Sequence, residues 1–232
     1  MPLPKIELVR YPVKVPSLGK MIEYRPFTVK EQKELMISQE SDDNVVKLKG
    51  VCHLIEACCM GNVPDAFKLK MYDIEYLLLK IRAKSVGEIS AVKSTCSACE
   101  ADIPVNINLE SINVHFPDVK ISPKIQVSKD VFIELKEPCV SDFIDIIQSD
   151  KAEEIMTICK SISKVYDSNK VYDDFTEDEL IEFVENLDIH SMESIQAYFE
   201  SLPSLKHTHI EKCHKCQAEN EITIEGINNF FD

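Results

Sequence analysis

Two Cys-x-x-Cys pairs decide the fold of this chain: Cys96-Ser-Ala-Cys99 in its middle and Cys213-His-Lys-Cys216 near its end. Four thiolates carried on two such turns are a ligand set of a structural zinc ion. A four-cysteine site has no open position for water or substrate, so it stabilises a fold and performs no catalysis. The sequence therefore predicts one structural zinc per chain, with Cys96, Cys99, Cys213 and Cys216 as its ligands.

Each pair lies between two segments of strand-like composition. Residues 92–95 and 105–109 flank the first pair, and residues 209–212 and 222–224 flank the second. This pattern predicts two copies of a strand–knuckle–strand unit. Because 113 residues separate Cys99 from Cys213, a metal shared by both pairs requires a whole subdomain to be inserted between two halves of one ribbon.

Other interpretations of the two pairs stay open. They could be unconnected turns, one of them a redox motif, but a thioredoxin-like dithiol needs a strand-to-helix context and both pairs here run into strand-like sequence. Neighbouring histidines could serve as substitute ligands, although such residues more often lie on the surface of a strand or knuckle: His207, His209 and His214.

Composition indicates an ordinary globular protein. With 232 residues, 44% of them hydrophobic, the chain can bury a substantial core in one domain or two intimate ones. It has no apolar run near 18 residues and no secretory signal at its start, so we expect a cytosolic protein without a membrane partner. The other cysteines lie mostly on apolar helical stretches, which favours reduced core thiols: Cys52, Cys58, Cys59, Cys139 and Cys159.

The net charge of −14 is unevenly distributed. Residues 137–202 contain 17 acidic side chains and four lysines, whereas residues 1–30 are basic. The acidic block would repel phosphates, so the charge distribution disfavours nucleic-acid binding. Its acids are either solvated helix faces or a surface that attracts a basic protein partner.

Local patterns predict an N-terminal β-hairpin, a front helical region, a second hairpin and a second helical region. The hairpins are expected at residues 11–25, around the turn 16–19, and at 125–135. The helices are expected at residues 28–40, 42–60, 73–87, 140–148, 151–164, 177–187 and 191–201, with N-caps that include Thr28, Thr176 and Ser191. Val46, Leu54, Ile55 and Cys58 are expected to form part of a buried stripe on the second helix.

The predicted fold class is α+β: a helical body with an N-terminal β-hairpin and a discontinuous four-cysteine zinc-ribbon-like β unit. Four segments follow from this prediction. They are the hairpin and helices (1–90), the first ribbon half (91–112), an inserted β-hairpin with an acidic helical subdomain (113–204) and the second ribbon half (205–232).

The third predicted helix has two contrasting faces. Its apolar residues fall on one side at helical spacing: Ile74, Leu77, Leu78 and Ile81. Its basic residues, Lys80, Arg82 and Lys84, are expected to point away from that side. The basic face is either a solvated surface or a partner-binding surface centred on Arg82 and Lys84.

The sequence contains no recognisable catalytic motif. It lacks a phosphate-binding glycine loop, a His-Glu-x-x-His motif and a Gly-x-Ser-x-Gly motif. The pair Cys58-Cys59 near His53 could supply a nucleophile, but its apolar helical setting favours inert core thiols. We therefore expect a protein that is not an enzyme.

Two stretches of the front half resemble the small baseplate hub proteins of T4-like contractile-tailed bacteriophages. They are PSLGKMIEYRPFTVKEQKEL at 16–35, followed by Glu40-Ser41, and YDIEYLLLKIRAKSVGE at 72–88. The resemblance is specific over about the first 90 residues and extends more weakly to the remainder, including residues 226–231. It implies a late phage protein needed to build the central hub of the tail baseplate, as a hub subunit, a chaperone-like assembly factor or both.

The leading hypothesis is therefore a non-enzymatic hub assembly protein that binds other baseplate hub or tail proteins. Its expected location is the host cytoplasm during assembly and then the virion tail. Two hypotheses from other classes remain: a nucleic-acid-binding zinc-ribbon regulator, and a thiol-disulfide oxidoreductase that uses one Cys-x-x-Cys pair.

Overall fold

The computed structural model describes residue 4 and residues 6–225. Over this range the fold is mixed α+β, with seven α-helices and four small sheets, so the predicted fold class is confirmed at that level. The chain divides into two compact units: a body unit of residues 1–115 and 204–232, and an insert unit of residues 116–203. Residues 226–231, which belong to the family resemblance, lie outside the described residues.

The elements follow one another along the chain in this order: β1 (Tyr11–Val15), β2 (Lys20–Tyr24), α1 (Val29–Gln39), α2 (Asn44–Cys58), α3 (Met71–Ser85), β3 (Ile89–Thr95), β4 (Asp102–Asn108), β5 (Val114–His115), β6 (Lys124–Gln126), β7 (Phe132–Leu135), α4 (Val140–Gln148), α5 (Glu153–Ser161), β8 (Ile162–Tyr166), β9 (Val171–Tyr172), α6 (Glu177–Glu185), α7 (Ile189–Glu200), β10 (Ser204–Lys212) and β11 (Glu219–Glu225). Short 3-10 helices occupy Ala66–Lys68 and Leu109–Ser111.

The predicted N-terminal hairpin is confirmed. Strands β1 and β2 pair antiparallel with Val13 opposite Ile22, and the alternation of side chains buries one face of the pair. The turn between them is attached to the front of α3, because Asp73 Oδ1 accepts a hydrogen bond from the Ser17 backbone N–H at 2.9 Å. Asp73 itself is fully buried.

No residue of helix α1 is fully buried, and polar contacts fix its start. Its predicted capping box is present, with Glu31 accepting from the backbone N–H of Thr28 at 2.7 Å. Glu31 also receives two hydrogen bonds from Arg25, at 2.5 and 2.9 Å. Helix α1 approaches α2 closely at Gly50, where a Cβ atom would lie 2.0 Å from Ser38 Oγ.

The ion pair between Arg25 and Glu31 should make part of the stability dependent on pH. The Arg25 guanidinium lowers the pKa of Glu31 from 4.5 to about 2, and the two side chains are only 20% and 12% exposed. Because the folded-state pKa lies below the unfolded value, the contribution is fully present above pH 4.5 and is lost as pH falls towards 2. We expect a loss of about 2–3 kcal/mol over this window, measured by urea unfolding at several pH values.

The control for this prediction uses two Glu→Gln variants on the same helix. Glu31→Gln should remove this part of the pH dependence. Glu34→Gln should leave it unchanged, because the pair of Glu34 with Lys30 is largely exposed. Equal pH profiles for wild type and Glu31→Gln would contradict the prediction.

Two predicted side-chain positions in the front helices are wrong. Val46 is 41% exposed, and its neighbour Val45 is buried instead. In α3, Lys80 is only 5% exposed, and its ammonium donates to the carbonyls of Leu109 at 3.3 Å and Glu110 at 2.6 Å. Helix α3 contacts α2, the 3-10 helix at Leu109–Ser111 and β10, so it has no continuous solvated face.

The insert unit contains the four-stranded sheet β6-β7-β8-β9 and helices α4 to α7. The predicted hairpin at 125–135 and the helices at 140–148 and 177–187 are confirmed, with ends shifted by up to two residues. The predicted helix 151–164 is too long, because residues from Ile162 onward form β8 and pair with β7. Helix α7 begins at Ile189, and Asp188 rather than Ser191 caps it by accepting from the Ser191 N–H at 2.7 Å.

Among the described residues, no helix combines the length and the apolar character that crossing a membrane requires.

Candidate metal centre

The two Cys-x-x-Cys pairs occupy the turns of two β-hairpins in the body unit, β3–β4 and β10–β11. Their four sulfur atoms all lie within 4.8 Å of one another. Two sulfur contacts cross between the pairs: Cys96 Sγ lies 3.6 Å from Cys216 Sγ, and Cys99 Sγ lies 3.6 Å from Cys213 Sγ. Folding therefore gathers residues from the middle and the end of the chain into one cluster that could bind a metal.

The distances between the thiols fit tetrahedral coordination. Zinc–sulfur bonds of about 2.3 Å place the sulfurs of a tetrahedral site about 3.8 Å apart. A disulfide would instead require about 2.05 Å between two sulfurs, and all nine cysteines are free thiols. The side chains present thus match a closed site of four sulfur ligands.

The two knuckles are copies of one local structure. In the first, the Cys96 N–H donates to Ala101 O at 2.9 Å and the Glu100 N–H donates to Cys96 O at 3.0 Å. In the second, the Cys213 N–H donates to Ala218 O and the Gln217 N–H donates to Cys213 O, both at 2.9 Å. The predicted duplication of a strand–knuckle–strand unit is therefore present in the backbone hydrogen bonds.

Backbone N–H groups favour thiolates at the first cysteine of each knuckle. The N–H groups of Ala98 and Cys99 lower the pKa of Cys96 to about 6, and those of Cys216 and Lys215 lower the pKa of Cys213. Hydrogen bonds to a sulfur favour its charged form. These turns are therefore arranged to present thiolates.

The fourth thiol shows the cost of crowding several thiolates together. The Ala218 N–H lowers the pKa of Cys216, but the neighbouring thiols of Cys99, Cys96 and Cys213 raise it by more. The pKa of Cys216 is therefore about 12, above the ordinary value of 9.0. Negative charges this close repel one another unless a cation lies between them. The repulsion therefore involves all four thiols of the cluster.

Asn220 connects the two halves of the centre, and the sequence analysis missed it. It is buried, and its Oδ1 accepts from Ser97 N at 2.9 Å and from Ser97 Oγ at 3.0 Å. Its Nδ2 lies 3.6 Å from Cys96 Sγ. In the first copy of the unit, the matching position is the apolar Ile103. This difference between the two copies is the sequence feature that could have indicated a role for Asn220. Such outer contacts orient the ligands of a metal site.

The histidines considered as substitute ligands are not part of the cluster. His207 stacks on His209, with ring centroids 6.3 Å apart, and His209 Nε2 lies 3.2 Å from Glu211. His214 is exposed. In the part of the chain that the structure describes, the group that could hold a metal consists of the four cysteines alone.

The thiols considered as nucleophiles lie in the core. Burial raises the pKa of Cys58 and of Cys59 to about 12, and both are fully buried. A thiol in this state is protonated at neutral pH and unreactive. The interpretation of these residues as core thiols agrees with their burial.

The basic pair Arg82 and Lys84 lies on α3 and is not part of the four-cysteine cluster. The Lys84 ammonium lies 2.6 Å from Glu88 and 3.7 Å from Glu110, so it already takes part in ion pairs within the body unit. Arg82 is partly buried. Partner binding by these two residues stays a prediction.

The knuckles contain a small amount of removable backbone strain. Glu100 and Gln217 occupy the left-handed region, with φ of 57° and 62°, where only glycine is unstrained. Relief of the left-handed strain contributes about 1–2 kcal/mol, and the greater freedom of an unfolded glycine offsets about 0.5–1 kcal/mol of it. We therefore expect Glu100→Gly to raise the free energy of unfolding by about 0.5–1 kcal/mol, measured as a higher urea midpoint. Glu100→Ala keeps the Cβ atom and should give no such gain. An equal gain from both variants would contradict this explanation.

Comparison with known proteins gives the class of this chain. Residues 8–232 match the family described as T4 bacteriophage base plate protein, so the chain belongs to that family. It is also 31% identical over 133 residues to the baseplate hub assembly protein gp26 of Enterobacteria phage T4. That alignment covers 53% of this chain and 59% of the relative, which is less than two thirds of its length. No solved structure matches the chain.

Proposed function

We propose that this chain is a non-enzymatic structural protein that helps to build the hub of a phage tail baseplate by binding other baseplate proteins. The observation that carries the proposal is the family match over residues 8–232. The similarity to a hub assembly protein supports the hub as the specific location. Its work would take place in the host cytoplasm during assembly, and it would remain in the tail if it is a hub subunit.

We further propose that Cys96, Cys99, Cys213 and Cys216 hold one structural zinc. The crossed sulfur contacts and the N–H groups directed at two of the thiols support this assignment. When bound, zinc supplies folding free energy and performs no reaction, because four protein ligands leave no open position. The cysteines would thus join two hairpins from distant parts of the chain into one ribbon.

Two alternative functions are less well supported. The insert unit contains 20 acidic residues and eight lysines, so it would repel a nucleic-acid backbone. A thiol oxidoreductase needs two neighbouring cysteines that form a disulfide, whereas all four thiols here are free and the 3.6 Å sulfur contacts between Cys96 and Cys216 and between Cys99 and Cys213 join different knuckles. Native mass spectrometry separates the alternatives: a zinc-free chain with a readily reducible disulfide would favour the oxidoreductase.

Complementation of a phage that lacks this gene tests the assembly role. Without the chain, infected cells should accumulate tail components but few complete baseplate hubs, and expression of the chain in trans should restore them. Mass spectrometry of purified virions then shows whether it stays in the tail. Normal hub assembly in its absence would overturn the proposal.

The basic pair on α3 can be tested in the same system. If Arg82 and Lys84 contact a partner, Arg82→Glu should reduce hub formation while the purified variant keeps its circular dichroism spectrum. Arg82 is partly buried, so the spectrum is needed to distinguish loss of a partner contact from loss of folding. Normal hub formation by Arg82→Glu would remove this residue from the partner surface.

A further inference from the structure

The insert unit has an open groove between α5 and α7. The groove has a volume of about 640 Å³. Its floor is apolar: Ile158 and Ile195 are buried beneath it, Met192 and Phe199 are partly exposed, and Ile189 at one end is 76% exposed. Four of these residues lie on α7 at helical spacing, so they present a continuous apolar stripe along that helix.

The rim of this groove is acidic. Glu154 on α5 and Glu193 and Glu200 on α7 line it, and all three are exposed. Glu193 lies 3.3 Å from the His190 imidazole, and Glu200 accepts a hydrogen bond from Gln196. Neither contact supplies a permanent positive charge. The surrounding chain adds to the negative field, because residues 171–205 contain ten acidic residues and no lysine or arginine.

We propose that this α5–α7 groove binds a basic amphipathic helix of a partner protein. The inference deepens the proposed function, on which it rests, by assigning a binding surface and the chemistry of its partner. A helix laid in an apolar groove inserts side chains at positions i, i+3, i+4 and i+7. Lysines or arginines beside those positions would meet Glu154, Glu193 and Glu200.

The same charges argue against other occupants. Phosphate groups of nucleic acids or of an anionic membrane surface would be repelled by the acidic rim. A symmetric contact between two copies of the insert unit would bring like charges together, which costs association free energy. A cationic helical segment therefore matches both the apolar floor and the acidic rim.

The test uses the full chain and two synthetic helical peptides. The first has leucines at i, i+3, i+4 and i+7 flanked by lysines, and the second has the same leucines flanked by glutamates. We expect the lysine-flanked peptide to bind at low ionic strength, with at least tenfold higher affinity than the glutamate-flanked one. Affinity is measured by fluorescence anisotropy, and oligomeric state by analytical ultracentrifugation.

Two double charge reversals show whether binding is located in the groove. Glu193→Lys with Glu200→Lys should weaken binding of the lysine-flanked peptide at least tenfold. The matched control, Asp173→Lys with Asp174→Lys, makes the same change in net charge at exposed positions outside the groove lining, and it should weaken binding less than threefold. Met192→Gln should also weaken binding, because it makes the floor polar.

Three results would overturn the proposal: equal weakening by both double variants, equal affinity for both peptides, or self-association that the Glu193 and Glu200 reversals abolish. The last would assign the groove to a second copy of the chain. These outcomes are separate from the proposed function, since a chain that restores hub assembly could still fail to bind the peptide.

Discussion

Cys213→Ser is expected to abolish the proposed zinc binding and to unfold the hairpins β3–β4 and β10–β11. Structural zinc in small domains has an apparent binding free energy of roughly 10–16 kcal/mol, which becomes folding free energy. Loss of one ligand should therefore remove several kcal/mol from a total stability that is typically about 5–15 kcal/mol. Native mass spectrometry should show less than a tenth of the wild-type zinc, and circular dichroism should show a large fall in Tm.

Cys96→Ser should have the same effect, because the crossed contacts make the four sulfurs one ligand set. The matched control is Cys139→Ser, which changes a cysteine at the N-cap of α4, outside the cluster. Serine is a favourable N-cap residue, so this variant should keep its zinc and its Tm. If Cys213→Ser retained full metal content and melted at the wild-type temperature, the two pairs would not share an ion.

Lys80→Met is expected to destabilise the body unit by about 2–4 kcal/mol. Lys80 is almost completely buried, and its ammonium donates to the carbonyls of Leu109 and Glu110. Methionine fills much of the same volume but provides no donor, and removing the partner of a buried polar group costs about 1–3 kcal/mol per group. The measurement is the free energy of unfolding in urea at neutral pH.

Lys84→Met on the same helix is the control for this prediction. Lys84 forms ion pairs with Glu88, which is half exposed, and with Glu110, and pairs of this kind contribute about 0–1 kcal/mol. The expected loss is thus several times smaller than for Lys80→Met. Similar losses from both variants would show that the buried hydrogen bonds of Lys80 contribute little.

The features that follow from local sequence were predictable. Alternating residues with a turn between them specify the β1–β2 hairpin, and the pairs Thr28 with Glu31 and Thr176 with Glu179 specify two capping boxes. The cysteine spacing indicated which four residues come together. In each of these cases, the residues that form the feature are either close in sequence or of a type with few alternative roles.

The features that depend on distant contacts were not predictable in the same way. Helical spacing placed Lys80 with the exposed residues, but the 3-10 helix at Leu109–Ser111 packs on α3 and its carbonyls accept from the Lys80 ammonium. Residues 162–164 continue a helical pattern, yet pairing with β7 makes them a strand. Asn220 is polar in a strand, and only the folded position of Ser97 gives it a role.

The separation of the two knuckles has a consequence for synthesis of the protein. Ribosomes add about 5–20 residues per second, so the 113 residues between Cys99 and Cys213 take roughly 6–23 s to make. During this interval Cys96 and Cys99 have left the active centre of the ribosome without their partners, and the insert unit is synthesised. The four-cysteine cluster therefore cannot close until translation has passed Cys216, well after the first hairpin has been made.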